Sequence, residues 1–208
     1  MTGRVEVAPD RFTLVQYDAG VITSLAEELA GVAGIPEGVP VRVEIDEALP
    51  LPLTGSTADV VDGRVELWFS GADFEDPHER GGFHEGLARA ELLVSLLRAS
   101  DRLSGNFDAA PIDEKLTDGQ RQAWEAWAEG RAGRLGAPTR KVRRRYHFRL
   151  YLGFTDAADA AFERLWHGDS FTWDDLCALA DHAAAADPRP QPTRRQPVRR
   201  ETLKARPA

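Results

Sequence analysis

Histidine and carboxylate side chains concentrate in one stretch of the sequence, Asp73–Glu91. Its first part is polar, with proline and glycine, and predicts a loop, whereas the remainder begins an amphipathic helix. Imidazole nitrogen and carboxylate oxygen are atoms that bind divalent metals and transfer protons in general acid–base catalysis. The side chains with this potential are Asp73, Glu75, Asp76 and His78 in the loop, and His84, Glu85 and Glu91 in the helix.

The pair His84–Glu85 begins the predicted helix, which follows an earlier helix and two strands. This order and this pair resemble the minimal zincin-like metallopeptidases, in which an HExxH helix supplies two zinc ligands and a glutamate that polarises the attacking water. The resemblance covers Gly20–Arg98 and implies that His84 is a metal ligand and Glu85 the general base. Ala88 occupies the position of the second histidine, and a methyl group cannot bind zinc.

Further candidate metal ligands lie close to His84 in the sequence. Asp76 and His78 belong to the preceding loop, and Glu91 shares a helix face with His84, about 10 Å away along the axis. A single ion cannot bridge that distance unless another element adds ligands. A metal-dependent hydrolase that uses zinc, Glu85 and these ligands is one interpretation. The other is structural, because capping side chains and acidic residues stabilise a helix N-terminus.

The basic run Arg140–Arg149, with the sequence RKVRRRYHFR, has a different binding potential. Basic residues interleaved with aromatic ones are typical of proteins that bind single-stranded nucleic acid. The alternative is that the run pairs with acidic helices of the same chain. Its alternation predicts a strand or an irregular connector over Arg140–Phe148. The candidate contacts to a polyanion are Arg140, Lys141, Arg143, Arg144 and Arg145.

Hydrophobic periodicity predicts the elements that position these residues. Strands occur early and helices late, which indicates an α+β fold: a small mixed sheet with a zincin-like helix–strand–strand–helix unit, followed by a helical C-terminal half. We expect a loop over Leu49–Thr57 and a tight turn at Asp62–Gly63. The predicted strands are Arg4–Val7, Phe12–Tyr17, Val39–Ile45 and Arg64–Ser70, and the predicted helices are Val21–Val32, Phe83–Gly105, Thr117–Gly136, Asp156–Trp166 and Trp173–Ala186.

Aromatic residues in the later helices predict packing rather than a cofactor site. Arg131 shares a helix face with two of the tryptophans, and we expect it to reach a carboxylate or to stack on an indole ring. The single cysteine, Cys177, has no partner for an internal disulfide and is expected to be a small buried apolar residue. The tryptophans expected in the core are Trp124, Trp127, Trp166 and Trp173.

Charge divides the chain into two parts. The last 22 residues, 187–208, hold seven basic and two acidic residues, whereas residues 1–186 carry a net charge of −13. We predict one α+β domain over 1–186 and a disordered proline- and arginine-rich tail over 187–208, which is able to dock on an acidic surface. The acidic domain repels phosphate backbones, so nucleic acid is not the expected ligand.

The sequence contains no apolar targeting segment and no run of about 18 apolar residues, which predicts a cytoplasmic protein without membrane contact. It also contains no glycine-rich phosphate loop, dinucleotide fingerprint or nucleophile elbow. We therefore predict a non-catalytic binding protein with a degenerate zincin-like core, no cofactor and another protein as partner. The metal-dependent hydrolase and the polyanion-binding module remain as alternatives.

Overall fold

The computed structural model describes residues 4–49 and 54–187. Within those residues the chain forms a four-stranded mixed sheet and six helices, most of them in the C-terminal half, which confirms the predicted α+β fold. The strands are β1 (Val5–Ala8), β2 (Val41–Asp46), β3 (Ser56–Val61) and β4 (Arg64–Ser70). The helices are α1 (Ala19–Val32), α2 (Glu85–Leu103), α3 (Asp118–Arg134), α4 (Lys141–Leu152), α5 (Asp156–His167) and α6 (Trp173–Ala185).

The sheet has the strand order β1-β2-β4-β3. The first three strands in this order are parallel, with Val43 of β2 opposite Val7 of β1 and Leu67 of β4, whereas β3 runs antiparallel at the edge. The turn between β3 and β4 has φ values of +50° at Asp62 and +75° at Gly63, as a type I′ hairpin requires. The predicted Asp62–Gly63 turn is therefore confirmed.

Side-chain caps determine where the later helices begin. Thr117 and Gln120 form the reciprocal capping box that the sequence predicts at the start of α3. Thr155 caps α5 with its side-chain oxygen, and Thr172 forms a second capping box with Asp175 at the start of α6. The predicted starts of these three helices are confirmed.

Two clusters of buried apolar side chains form the core. The first contains side chains of the sheet, α1 and α2, among them Val43 and Leu92. The second joins α3, α4, α5 and α6. Helix α3 contributes Ala128 to the first cluster and Trp124 to the second, so it links the sheet to the helical half. The predicted core tryptophans all lie in the second cluster, and none is more than 7% exposed: Trp124, Trp127, Trp166 and Trp173.

The prediction of a strand or connector over Arg140–Phe148 is wrong, because this segment forms most of α4. The helix buries only Phe148 and Leu152, so it has no wide buried apolar face that the sequence pattern would show. Ion pairs to neighbouring helices stabilise it, such as the pair between Arg144 and Glu129 at 2.6 Å. Periodicity of apolar residues does not detect a helix that is held in this way.

Two other segments also differ from the prediction. No strand forms over Phe12–Tyr17, where the N–H of Thr13 donates to the carboxylate of Glu47 at 2.7 Å. Strand β3 begins inside the predicted loop Leu49–Thr57. It is an edge strand that buries Ala58 alone, so its sequence shows almost no alternation.

The C-terminal boundary lies slightly beyond the predicted one. Asp187, which we predicted as the first residue of the tail, is only 7% exposed. The rest of the predicted tail, residues 188–208, lies outside the described residues, and the single domain over 1–186 stays a prediction. Among residues 4–49 and 54–187, no helix has the length and apolarity needed to cross a membrane.

Candidate functional site

The loop between β4 and α2 uses its carboxylates to hold its own backbone. Glu75 is buried, and its Oε1 accepts the N–H of Gly81 at 2.8 Å. The Oδ1 of Asp76 accepts the N–H of His78 at 2.8 Å, and His78 is exposed. Carboxylates that accept nearby backbone N–H groups stabilise turns. This part of the histidine- and carboxylate-rich stretch therefore has a structural role.

His84 is the N-cap residue of α2. Its Nδ1 accepts the N–H of Leu87 at 3.1 Å, so the hydrogen of the neutral ring is on Nε2. The side chain of Glu85 is 68% exposed, and its Oε1 lies 3.9 Å from a guanidinium nitrogen of Arg89. Ala88, one turn after His84, is fully buried. These positions match the structural interpretation, in which the two residues stabilise the start of the helix.

The candidate metal ligands do not form a metal-binding group. In the part of the chain that the structure describes, no three or more histidine, cysteine, aspartate or glutamate side chains are arranged to hold an ion. Zinc-dependent hydrolysis stays a prediction that depends on the resemblance of the sequence. The residues concerned are His84, His78, Asp76 and Glu91 as ligands and Glu85 as the base.

Most of the basic run is neutralised by ion pairs with acidic helices. The Nζ of Lys141 lies 2.7 Å from an oxygen of Glu163, and Arg145 lies 2.9 Å from Asp159. Arg149 also pairs with Asp159, and hydrogen bonds from the two guanidinium groups hold the pKa of this carboxyl far below its usual range. The pairing that the sequence analysis gave as an alternative to polyanion binding is therefore present.

Arg140 and Arg143 differ from the other basic residues of the run. Both are exposed, and neither guanidinium forms an ion pair with a described residue. Binding to a nucleic-acid backbone depends on many contacts between basic side chains and phosphates. Two such side chains can make only a few phosphate contacts, so the described part of α4 gives little support to polyanion binding.

A different group of charged side chains connects the turn after β4 with α2, α3 and α4. Asp73 belongs to the short 3₁₀ turn Gly71–Asp73, and its carboxyl interacts electrostatically with that of Glu91 on α2. Glu91 in turn interacts with three partly buried charged side chains of α3 and α4, and also with the exposed Arg143 of α4. We call this group the carboxylate cluster, and it consists of Asp73, Glu91, Glu125, Glu129 and Arg144.

The pKa of the Asp73 carboxyl is raised well above its usual range, which favours the protonated form at neutral pH. Its carboxyl oxygens accept hydrogen bonds from the N–H of Gly55 at 3.2 Å and from the N–H and hydroxyl of Ser70 at 3.0 and 2.9 Å. These bonds favour the charged form, but burial and the repulsion from Glu91 outweigh them and raise the pKa of Asp73 to about 8. The protonated carboxyl is therefore a potential hydrogen-bond donor.

Glu91 is the carboxylate of the cluster that has no direct partner. Burial raises the pKa of Glu91 to about 6, and the positive charge of Arg144 opposes the shift. The residue is only half-buried, and it forms no hydrogen bond or ion pair with a described residue. At neutral pH it is a partly desolvated negative charge that no neighbouring cation contacts.

Arg144 is held between two carboxylates of α3. It pairs with Glu125 and, at 2.6 Å, with Glu129. Burial disfavours its charged form, yet the charges of the two glutamates raise the pKa of Arg144 above its usual range. Beside them, Nε2 of Gln122 donates to Glu125 at 3.4 Å, whereas its buried Oε1 has no partner among the described residues.

A buried ionic network around Asp113 joins the sheet edge to the helices. Asp113 is fully buried and pairs with Arg98, with Arg102 at 3.0 Å and with Arg121 at 3.5 Å. Its Oδ2 also accepts the N–H of Ala58 in β3 at 3.0 Å. A single carboxylate thus binds β3, α2 and α3 together, which indicates a structural role.

Asp101 forms a second buried centre in the same region. It accepts a hydrogen bond from Nε1 of Trp124 at 2.7 Å and two from Arg131 at 2.7 and 2.6 Å. The guanidinium of Arg131 also lies 3.6 Å from the ring centre of Trp127. Both expectations for Arg131, a carboxylate partner and an indole ring, are confirmed.

Sequence reasoning found some members of these sites and missed others. The sequence indicates Glu91 as a candidate metal ligand and Arg144 as a candidate contact to a polyanion. It does not single out Glu125 and Glu129. Glu125 and Glu129 lie four residues apart, and like charges at this spacing destabilise a helix unless a cation compensates them. The spacing therefore indicates a cationic partner for the two glutamates. Asp113 gave no such signal, because the residues it contacts lie up to 55 positions away in the sequence.

Comparison with known proteins returned no relative. No family model, no curated protein and no solved structure matches the chain.

Proposed function

We propose that this protein is a non-catalytic binding protein and that its carboxylate cluster binds a cationic group of a protein partner. The chemistry fits the guanidinium of an arginine or the ammonium of a lysine side chain. The observation that carries the proposal is the carboxylate of Glu91, which has no hydrogen bond or ion pair with a described residue. A cation that contacts it would form a charge-assisted hydrogen bond, which is among the strongest polar contacts.

The charge balance of the cluster supports a cationic ligand. At neutral pH the cluster holds three carboxylates, those of Glu91, Glu125 and Glu129, against the guanidinium of Arg144, and the exposed Arg143 adds a second positive charge near Glu91. Its net charge is negative, and partial burial lowers the effective dielectric constant, so an added cation is attracted more strongly than at an exposed site.

The position of the cluster in the fold also suits ligand binding. Asp73 follows the carboxyl end of β4, where Ser70 lies opposite Asp46 at the end of the parallel strand β2. Ligands of open sheets with parallel strands commonly bind beyond the carboxyl ends of those strands. The helices α2, α3 and α4 supply the other members of the cluster.

We further propose that the sheet, α1 and α2 form a degenerate zincin-like core. The support is the pair His84–Glu85 at the start of α2 and the buried Ala88 in place of a second histidine, whereas three strands rather than the expected two lie between α1 and α2. The engagement of His84 Nδ1 in helix capping favours binding over hydrolysis. A cytoplasmic location remains the expectation from the sequence.

Titration with a small cation tests the binding proposal. Protein labelled with ¹³C at its glutamate carboxyl groups is titrated with N-acetyl-arginine amide at neutral pH. We expect a saturable shift of the Glu91 carboxyl signal, because the guanidinium contacts this group. N-acetyl-citrulline amide, which has nearly the same shape without the charge, should cause no shift.

Two variants separate specific binding from general charge effects. Glu91→Gln should abolish the response of the Glu125 and Glu129 signals to the arginine compound. Glu85→Gln removes an exposed charge from the same helix and should leave the response unchanged. Equal binding of the citrulline compound, or equal loss in both variants, would contradict the proposal.

A further inference from the structure

The outer face of α4 presents an exposed apolar stripe. Val142 is 86% exposed, Tyr146 is 53% exposed, and Phe154, just after the helix, is 50% exposed. The first two residues lie one helical turn apart and therefore share a face. The rings of Tyr146 and Phe154 meet edge to face with their centres 6.0 Å apart. Two aromatic rings thus form a surface that no described element covers.

The opposite side of α4 fixes this stripe in place. Phe148 and Leu152 are buried in the second apolar cluster. Arg144 pairs with α3, and Arg145 and Arg149 pair with Asp159 of α5. The helix therefore cannot turn its apolar stripe inward without breaking these contacts, and the stripe is a permanent feature of the surface.

The end of the described chain lies beside the stripe. After α6, Asp187 packs against Gly153, since a Cβ atom added to this glycine would lie 2.5 Å from the Cβ of Asp187. Gly153 immediately precedes Phe154. The residue to which the segment 188–208 is bonded therefore contacts the neighbour of Phe154, which gives the segment a high effective concentration relative to any partner in solution.

We propose that the segment 188–208 of this chain binds to the exposed face of α4 through its first prolines. Pro188, Pro190 and Pro192 lie within the first five residues after Asp187. Proline-rich segments in the extended polyproline II form bind to surfaces lined by aromatic side chains, because their conformation is already restricted before binding. The proposal is independent of ligand binding at the carboxylate cluster.

The length of the segment matches the stripe. Five residues in the polyproline II form span about 16 Å, at 3.1 Å per residue. The aromatic centres are 6.0 Å apart, so a segment of this length is long enough to span both rings. Only one of these five residues is charged, Arg189, and the arginine pairs begin at Arg194, beyond the proposed contact. Charge repulsion between these five residues and the basic helix α4 is therefore small.

Fluorine NMR on the full chain and on a chain ending at Asp187 tests the proposal. The protein has three tyrosines, so 3-fluorotyrosine gives three signals, and Tyr146→Phe identifies the one of Tyr146. We expect this signal to move toward the value of a solvent-exposed fluorotyrosine when residues 188–208 are removed. The signal of the buried Tyr17 should stay unchanged. Identical Tyr146 signals in the two chains would overturn the proposal.

Addition of the peptide 188–208 to the shortened chain provides the second measurement. The peptide should restore the Tyr146 signal in a saturable way, and Phe154→Ala should weaken this binding at least about tenfold. Leu135→Ala is the matched control, because Leu135 is also 50% exposed but lies outside α4. A peptide with Pro188, Pro190 and Pro192 changed to serine should not bind. Binding that survives this change, or a Tyr146 signal that depends on protein concentration and so indicates a second copy, would contradict the proposal.

Discussion

Asp73 and Asp159 show how strongly the surroundings of one side-chain type control its charge. Asp73 is desolvated and faces Glu91, which raises its pKa to about 8. Asp159 accepts hydrogen bonds from Arg149 and Arg145 near the surface, which lower its pKa far below the usual range. Only the first of the two is protonated at neutral pH, so the histidine- and carboxylate-rich stretch is less negative than its composition suggests.

The raised pKa of Asp73 predicts a specific pH dependence of stability. The folded protein holds this proton more tightly than the unfolded chain, so the stabilisation is complete below about pH 4 and is lost as the pH rises to about 8. Asparagine does not titrate. Relative to Asp73→Asn, we expect the unfolding free energy of the wild type to fall by up to about 1.4 kcal/mol per pH unit between these limits.

Chemical denaturation at several pH values measures this difference, and Asp159 supplies a control of opposite sign. Its lowered pKa gives a contribution that is present above the usual aspartate pKa and is lost as the pH falls below it. The difference between the wild type and Asp159→Asn should therefore be constant from pH 5 to 8 and change only in acid. A constant difference for Asp73→Asn over the same range would show that Asp73 is ionised throughout.

Disruption of the buried network around Asp113 is expected to change the unfolding free energy by a larger amount. Asp113→Asn removes the charge that Arg98, Arg102 and Arg121 share while keeping the size of the side chain, and only Arg102 keeps a second carboxylate, Asp59 at 3.2 Å. Removal of one partner from a buried ionic group leaves charges without compensation, and we expect a loss of about 3–5 kcal/mol in the unfolding free energy. Urea denaturation measures this loss.

The exposed pair Glu6–Arg42 is the matched control for Asp113. Its side chains are 55% and 31% exposed, and their charged atoms lie 3.1 Å apart. Such surface pairs contribute little, so Glu6→Gln should change the unfolding free energy by less than about 1 kcal/mol. If the two substitutions had similar effects, the Asp113 network would not be a major contributor to stability.

At the scale of elements, sequence patterns predicted what apolar burial and capping determine. The helices with wide buried faces or capping boxes, such as α2 and α3, were located correctly, and so was the hairpin turn. Helix α4 was missed because ion pairs rather than an apolar stripe hold it, and β3 because a narrow edge strand buries only Ala58. The carboxylate cluster was found only in part, because contacts between α2, α3 and α4 are tertiary and leave no local pattern.

Glycines at helix contacts are a second feature that sequence alone does not reveal. A Cβ atom at Gly130 of α3 would lie 2.2 Å from the carbonyl oxygen of Trp166 in α5. Backbone cannot move aside as a flexible side chain does. We expect Gly130→Ala to separate the two helices and to lower the unfolding free energy by about 1–3 kcal/mol or more, despite the better helix propensity of alanine.

Gly31 in α1 provides the comparison for Gly130. Apart from the neighbouring backbone of its own helix, no atom lies within 4 Å of a Cβ built at this position. Gly31→Ala should therefore raise the unfolding free energy by about 0.5–1 kcal/mol through helix propensity alone. Thermal melts of the two variants thus test close helix packing, and a stabilised Gly130→Ala variant would contradict it.

At the scale of the whole molecule, the connection between the two apolar clusters determines whether they unfold together. Helix α3 belongs to both of them, and Asp113 and Asp101 connect α3 to α2 through buried charges. Most apolar contacts lie inside one cluster and stabilise only that cluster, whereas these buried charges join α3 to α2. The cooperativity of the fold should therefore depend on the ionic network more than on any single apolar residue.

The distribution of tryptophans allows this dependence to be measured. Four of the five tryptophans lie in the second cluster and Trp68 lies on β4, so tryptophan fluorescence reports mainly on the helical half. Circular dichroism in the far ultraviolet reports on both halves. For the wild type, we expect the two signals to change together in one urea transition, because the halves unfold cooperatively.

In Asp113→Asn the two signals should separate. The carboxylate of Asp113 binds β3, α2 and α3 together. Without its charge this connection is weakened, so the two clusters can unfold at different urea concentrations. Leu92→Ala, a cavity variant inside the first cluster, should cost about 2–5 kcal/mol while leaving the two signals coincident, which controls for destabilisation alone. Coincident transitions in Asp113→Asn would show instead that apolar contacts of α3 suffice to couple the halves.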